Sequence, residues 1–146
     1  MMGTTTAAGY DALNSQGWYL DHINCDWASM YNNDPAYGVA SNATHHVLGG
    51  QGEMWGETVD ASDIEQTVWP RLAAIAESLW SPPEVTSCSP IFANTTYNPG
   101  VCSNLDAAFP RLKSFRCLLM QRGVRAAPVG NGEARQAPVG PGGCYA

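Results

Sequence analysis

Basic residues are scarce in this chain of 146 residues: seven Lys and Arg stand against thirteen Asp and Glu, for a formal net charge of −6. Nucleic-acid binding draws much of its strength from Lys and Arg set against phosphate, and the seven form no run, so a nucleic-acid partner is excluded. Long apolar stretches are missing too. No segment approaches the roughly 18 uninterrupted apolar residues that cross a bilayer, and no membrane span is expected. Ligand spacing for a metal is lacking: His45 and His46 are adjacent and would face opposite sides of a strand, and no Cys or Asp recurs at suitable intervals near them or near His22. A phosphate loop is absent, because Gly49-Gly50-Gln51-Gly52 lacks the following Lys-Ser/Thr and leads into a strand. No metal or other cofactor is expected.

What the chain does contain is globular in kind. It is 45% hydrophobic and only 14% charged, with 15 Gly and 10 Pro, which suggests many loops around a few regular elements in one ordinary domain's length. Five cysteines and two sequons, Asn42-Ala43-Thr44 and Asn94-Thr95-Thr96, favour a secreted or lysosomal/vacuolar protein glycosylated at Asn42 and Asn94. Met1 to Thr6 has neither a basic start nor an apolar core, so the true amino terminus is expected upstream of this chain.

Periodicity supplies the elements. Residues 1–16 are small and polar without a pattern and are expected to be an irregular leader. Trp18-Tyr19-Leu20-Asp21-His22-Ile23, bounded by Gly17 and Asn24, reads as a short strand. His45 through Gly52 into Glu53-Met54-Trp55-Gly56-Glu57 reads as a second buried strand with glycines at its entry and exit. A helix is expected from Trp69-Pro70, with Leu72, Ile75, Ala76 and Leu79 as a one-sided stripe and Ser81-Pro82-Pro83 as its stop. A second runs from Leu105 to Gln121 on Leu105, Phe109, Leu112, Phe115 and Leu119; it begins or kinks at Pro110 and has Gly123 as its C′ residue. Residues 124–146 read as an irregular strap. Two strands and two helices are too few for a self-contained core, and both strands are apolar as in a sheet buried on both faces. The chain reads as a piece of a larger α/β protein.

Gly50-Gln51-Gly52-Glu53-Met54-Trp55-Gly56-Glu57, with Val59-Asp60 and Trp69-Pro70-Arg71, resembles glycoside hydrolase family 20, the β-N-acetylhexosaminidases. Trp18-Tyr19-Leu20-Asp21 is similar to that family's seventh strand, and Phe115-Arg116-Cys117, Arg122-Gly123 and Gly143-Cys144-Tyr145 to its closing helix and terminal disulfide. The resemblance spans about residues 17–146, interrupted by an insert at 84–103. It implies an α/β fold: the last two strands and helices of a (β/α)8 TIM barrel, incomplete as it stands. It implies hydrolysis of terminal β-linked N-acetylhexosamine with retention, the substrate's acetamido oxygen acting as nucleophile. N-acetylhexosamine-terminated glycans would be the partners, and a homodimer is expected of the full-length protein.

Only residues matching the family's motifs carry over. Tyr19 would orient the acetamido carbonyl, Trp55 would form a stacking wall, and Asp21 and Glu57 would accept hydrogen bonds from the far hydroxyls of the sugar. The carboxylate at Asp21 favours neutral over sulfated sugars. Trp18, on the opposite face of the strand from Tyr19, is expected to pack, as are Trp69 and Trp80, with Glu53 a structural partner and Arg71 and Glu77 helix-surface or ion-pair groups. The family's catalytic Asp-Glu pair has no counterpart; Asp63-Ile64-Glu65 is the nearest sequence. A non-catalytic sugar-binding remnant and an inactive fragment are therefore alternatives to a part of an enzyme. The resemblance pairs Cys117 with Cys144, while Cys88–Cys102 would staple the insert. Cys25 is left open, as a thiol or as half of a bond to a segment outside this chain.

Overall fold

The computed structural model describes residues 1–82, 86 and 103–130. In order come α1 (Met2–Ala7), β1 (Ala12–Asn14), α2 (Trp27–Tyr31), a 3-10 turn (Ser41–His46), β2 (Val47–Gly50), α3 (Ile64–Val68), α4 (Arg71–Trp80) and α5 (Ser103–Gln121). The two strands pair in parallel, Ala12 against Val47, Leu13 against Gly49 and Asn14 against Gly50. Parallel neighbours need a long crossover, and the segment carrying α2 supplies it.

Residues 1–16 are not the irregular leader expected from their composition; they form α1 and β1. The helix escapes an apolar-period search because its buried contact is Thr6, 1% exposed, whose hydroxyl donates to the carbonyl of Met2 at 2.9 Å. The first strand is likewise shifted. Its ladder lies at 12–14, and the Trp18–Ile23 stretch contributes one isolated parallel bridge, Tyr19 to Glu53. A turn separates the two, closed by the Trp18 amide on the Ser15 carbonyl at 3.0 Å, with Gly17 at φ +85°. That conformation is open to glycine and strained for residues with a Cβ. Pairing resumes with the Leu20 amide on Glu53 O at 2.7 Å and the Glu53 amide on Trp18 O at 2.9 Å.

Helix α4 separates two apolar clusters. On one side Trp18, Leu20, Cys25, Met30 and Ile75 pack with Met54, Val68, Leu72 and Leu79; on the other Trp27, Tyr31, Ala74, Ala108, Leu112 and Val129 pack with Leu105 and Phe109. The expected stripe is thus right at Leu72, Ile75 and Leu79, whereas Ala76 is exposed and Ala74 buried, since the helix is covered on two faces. Trp18 packs as expected: it is fully buried, its indole N–H donates to Met30 O at 2.8 Å, and its ring lies so close to Gly50 that a Cβ there would sit 1.9 Å from Trp18 Cζ3. Trp69 meets Phe115 edge-on at 6.2 Å. Trp80 is not a packing residue; it ends α4 at 90% exposure.

Helix α5 spans Pro110 rather than starting there. It ends with the Val124 amide on Leu119 O and the Gly123 amide on Met120 O, both 3.0 Å, with Gly123 at φ +84°. That is the Schellman pattern, with glycine at the C′ position anticipated from the sequence. Beyond it, residues 124–130 form the start of the strap. The Ala127 amide donates to Trp69 O at 3.0 Å, the Trp27 indole to Val129 O at 3.1 Å, and the buried guanidinium of Arg116 to Ala127 O at 3.0 Å. Cys117 is disulfide-bonded; Cys144, its expected partner, lies outside the described residues, as do Cys88, Cys102, Asn94 and the insert at 84–103 apart from Thr86 and Ser103, where α5 begins. No helix among the described residues is long and apolar enough to cross a membrane.

Candidate functional site

The candidate residues Tyr19, Asp21, Trp55 and Glu57 follow the carboxy ends of the two parallel strands. Chain from β1 and chain from β2 leave the sheet side by side, held together by the Tyr19–Glu53 bridge. At the bridge Trp18 is turned inward and Tyr19 away from it, as neighbours in extended chain are; Leu20 and Asp21 already belong to the turn closed by the His22 amide on Tyr19 O. Trp18 is 0% and Leu20 2% exposed, whereas Tyr19 and Asp21 are half-buried. Tyr19 stacks on His22 with ring centroids 5.4 Å apart and planes inclined at 25°, which limits where its hydroxyl can swing.

Asp21 has the most telling environment of the four. Its Oδ2 lies 3.9 Å from His22 Nε2, while its Oδ1 is buried and accepts no hydrogen bond from any described residue. Buried carboxylate oxygens are costly unless hydrogen-bonded, so such an atom has an unused capacity for a hydroxyl donor. Trp55 lies two residues beyond Glu53 and is 54% exposed, a large indole face open to solvent. Glu53 itself is a structural partner, as expected, through its backbone bridge and through its carboxylate, which accepts from Gln51 Nε2 at 2.5 Å. The structure therefore places Tyr19 and Asp21 at one end of the strand pair, with Trp55 two residues past the bridge and joined to neither by a hydrogen bond or ring contact among the described residues. Glu57 is exposed after a bend at Gly56, and no hydrogen bond or ring contact among the described residues joins it to the other three.

Sequence reasoning missed Arg71. Expected on a helix surface or in an ion pair, it is 2% exposed and its guanidinium donates to backbone carbonyls. Nη1 reaches His22 O at 2.8 Å and Cys25 O at 3.0 Å, Nη2 reaches Leu20 O and Thr67 O, and Nε also reaches Thr67 O at 3.2 Å. A signal was available: Arg71 lies four residues before Ile75 and therefore on the helix's buried face, a place where charge needs a reason. Glu77 does ion-pair, with Arg111 of α5, and also accepts from the hydroxyl of Tyr31 at 3.1 Å. Asn42, the described sequon asparagine, is exposed on the 3-10 turn.

The sequence pattern of glycosyl hydrolase family 20, catalytic domain, matches residues 2–83. The chain is 46% identical over 143 residues to Beta-hexosaminidase 1 of Arabidopsis thaliana, an alignment that covers 96% of this chain and 24% of that protein. It is 43% identical to Beta-hexosaminidase 3 of the same plant, covering 100% and 25%. Against Beta-hexosaminidase subunit alpha of Bos taurus the identity is 40%, covering 90% and 22%. The chain spans about a quarter of the length of these relatives. With more than half of its residues matched to the family's catalytic domain, this chain belongs to glycosyl hydrolase family 20.

Proposed function

We propose that this chain is the sugar-holding carboxy-terminal part of a β-N-acetylhexosaminidase, contributing the last two strands of a (β/α)8 barrel and their helices. The observation that carries the reading is the parallel strand pair with Tyr19 and Asp21 at its carboxy ends and Trp55 two residues past the bridge, where barrels of this type build their sites. The barrel portion would run on to residue 146, with 84–103 as an insert and 124–146 as a strap closed by Cys117–Cys144. Cleavage of a terminal N-acetylhexosamine would proceed with retention through the substrate's acetamido oxygen. Tyr19 would donate its phenol proton to the acetamido carbonyl and hold it beneath the anomeric carbon; a neutral phenol does this without competing as a nucleophile. The buried Oδ1 of Asp21 would accept a sugar hydroxyl, Glu57 a second, and Trp55 would stack on the C–H face of the ring. Neutral sugars are favoured over sulfated ones, because Asp21 opposes a second negative charge. The exposed Asn42 and the bonded Cys117 support glycosylation and a secreted or vacuolar setting.

The general acid would come from elsewhere in a complete barrel, so the 146-residue chain alone should not turn over a fluorogenic β-N-acetylglucosaminide. A chimera in which this chain replaces the aligned quarter of Beta-hexosaminidase 1 should hydrolyse that substrate. Tyr19→Phe in the chimera should lower kcat by roughly 10²–10³-fold, the usual scale for losing one aimed hydrogen-bond donor. A Tyr19→Phe chimera with unchanged kcat would remove Tyr19 from the site.

A further inference from the structure

We propose that Arg71 is the positioning residue of this site: its guanidinium fixes the backbone from Leu20 to Cys25 and thereby the direction in which Tyr19 and Asp21 meet the sugar. The inference rests on the sugar reading above. The carbonyls it binds, those of Leu20, His22 and Cys25, flank Asp21 on both sides. Between Leu20 and His22 lies only Asp21, so holding both carbonyls sets the dihedral angles that aim its carboxylate. The same stretch is wound into two consecutive turns, the His22 amide on Tyr19 O at 3.3 Å and the Cys25 amide on His22 O at 3.1 Å. Backbone pairing alone fixes only the entrance, at Leu20 and Glu53. Past that point Leu20 and Cys25 pack into the apolar cluster with Met30 and Ile75, and the hydrogen bonds of Arg71 from α4 hold the carbonyls of Leu20, His22 and Cys25.

The chemistry requires arginine. Its planar group presents five N–H donors in a fixed fork, whereas a lysine ammonium is a single point with three, and cannot face Leu20, His22, Cys25 and Thr67 together. A charge at 2% exposure on the inner face of α4, beside Ala74 and Ile75, is an expensive choice where a leucine would pack. Its placement is explained by what it holds: the one segment that bears both the aromatic hydroxyl and the incompletely hydrogen-bonded carboxylate.

The test combines amide hydrogen exchange on the full chain with an NMR titration using N-acetylglucosamine as probe, followed at the Trp55 indole. Without sugar, the wild-type amides of Leu20, His22 and Cys25 should already exchange slowly, like those of β2; rapid exchange there would overturn the proposal even if every variant fails to fold. Arg71→Lys should accelerate those three amides at least tenfold, leave α5 within about twofold, and weaken sugar binding about tenfold. Arg111→Lys, which loosens the Glu77 contact between α4 and α5, should leave both the three amides and the sugar unchanged. Asp21→Asn should weaken binding without faster exchange, and the double variant should be no worse than about twofold beyond Arg71→Lys, because the two act through one contact. Acceleration spread evenly along the chain, or full sugar affinity despite opened turns, would make Arg71 merely a stabilising residue. A wild type that binds no N-acetylglucosamine sinks the sugar reading, and the exchange contrast then still decides whether Arg71 holds the turns.

Discussion

The two sides of α4 are finished differently. Toward α2, α5 and the strap, polar ends are met from within the chain: the Trp27 indole by Val129 O, Arg116 by Ala127 O, and Glu77 by Tyr31 and Arg111. Toward the strands, the apolar cluster under Trp18 is equally well buried, yet the sheet exposes Leu13 at 56% and Leu48 at 62%, and the chain just past it exposes Trp55 at 54%. Two strands cannot cover their own outer face. The difference teaches that the helical layer is built to stand against this sheet, while the sheet is built to receive something more. For Trp55 that something would be a sugar; for Leu13 and Leu48 it would be the neighbouring strands and helices of a larger barrel.

Breaking the joint between the sides should cost most. Arg71→Met leaves several buried carbonyls without donors, at about 1–3 kcal/mol each, so chemical denaturation should show a loss of about 3–5 kcal/mol. Trp27→Leu removes ring volume and the bond to Val129 from the helical side, and should cost about 2–3 kcal/mol in the same experiment. On the exposed side, Leu48→Thr should change the stability of this chain by less than about 0.5 kcal/mol. In the chimera with Beta-hexosaminidase 1 the same substitution should be distinctly more costly, because the leucine then has neighbours; equal effects in both would remove the contrast between the faces.

The smallest effect should come from the strap's outer tie, where Glu65 accepts from the Arg125 amide at 2.9 Å and from its guanidinium at 3.3 Å. These bonds hold the Glu65 carboxyl below its ordinary value of 4.5, the Arg125 backbone amide first among them. A depressed folded value means stability present above that ordinary value and lost as pH falls through the folded one. Glu65→Gln should therefore flatten the acid limb of a melting-temperature profile slightly below about pH 4.5 and leave neutral pH nearly unchanged.

How much of this was legible in the sequence depends on which force shaped each element. The helices over 71–80 and 103–121 were visible because apolar burial recurs at helical spacing, and Gly123 announced its own left-handed cap. Trp18 and Tyr19 were separable because strand alternation sends neighbours to opposite faces. Helix α1 was hidden since it buries a threonine, and β1 since its three residues are too short to show a period. Arg71 was misjudged because charge ordinarily means surface, and only the carbonyls arriving from Leu20, His22 and Cys25, remote in sequence, reveal why it is inside. Trp80 erred the other way: its size suggested packing, but it ends its helix with nothing in α4 to shelter it.

The most direct test of the central claim is turnover of a fluorogenic β-N-acetylglucosaminide by the chimera with Beta-hexosaminidase 1, measured beside the isolated chain under the same conditions. The account predicts turnover by the chimera, lost on Asp21→Asn or Tyr19→Phe, and none by the chain alone. A cooperatively melting chimera without activity, or turnover by the isolated 146 residues, would contradict it.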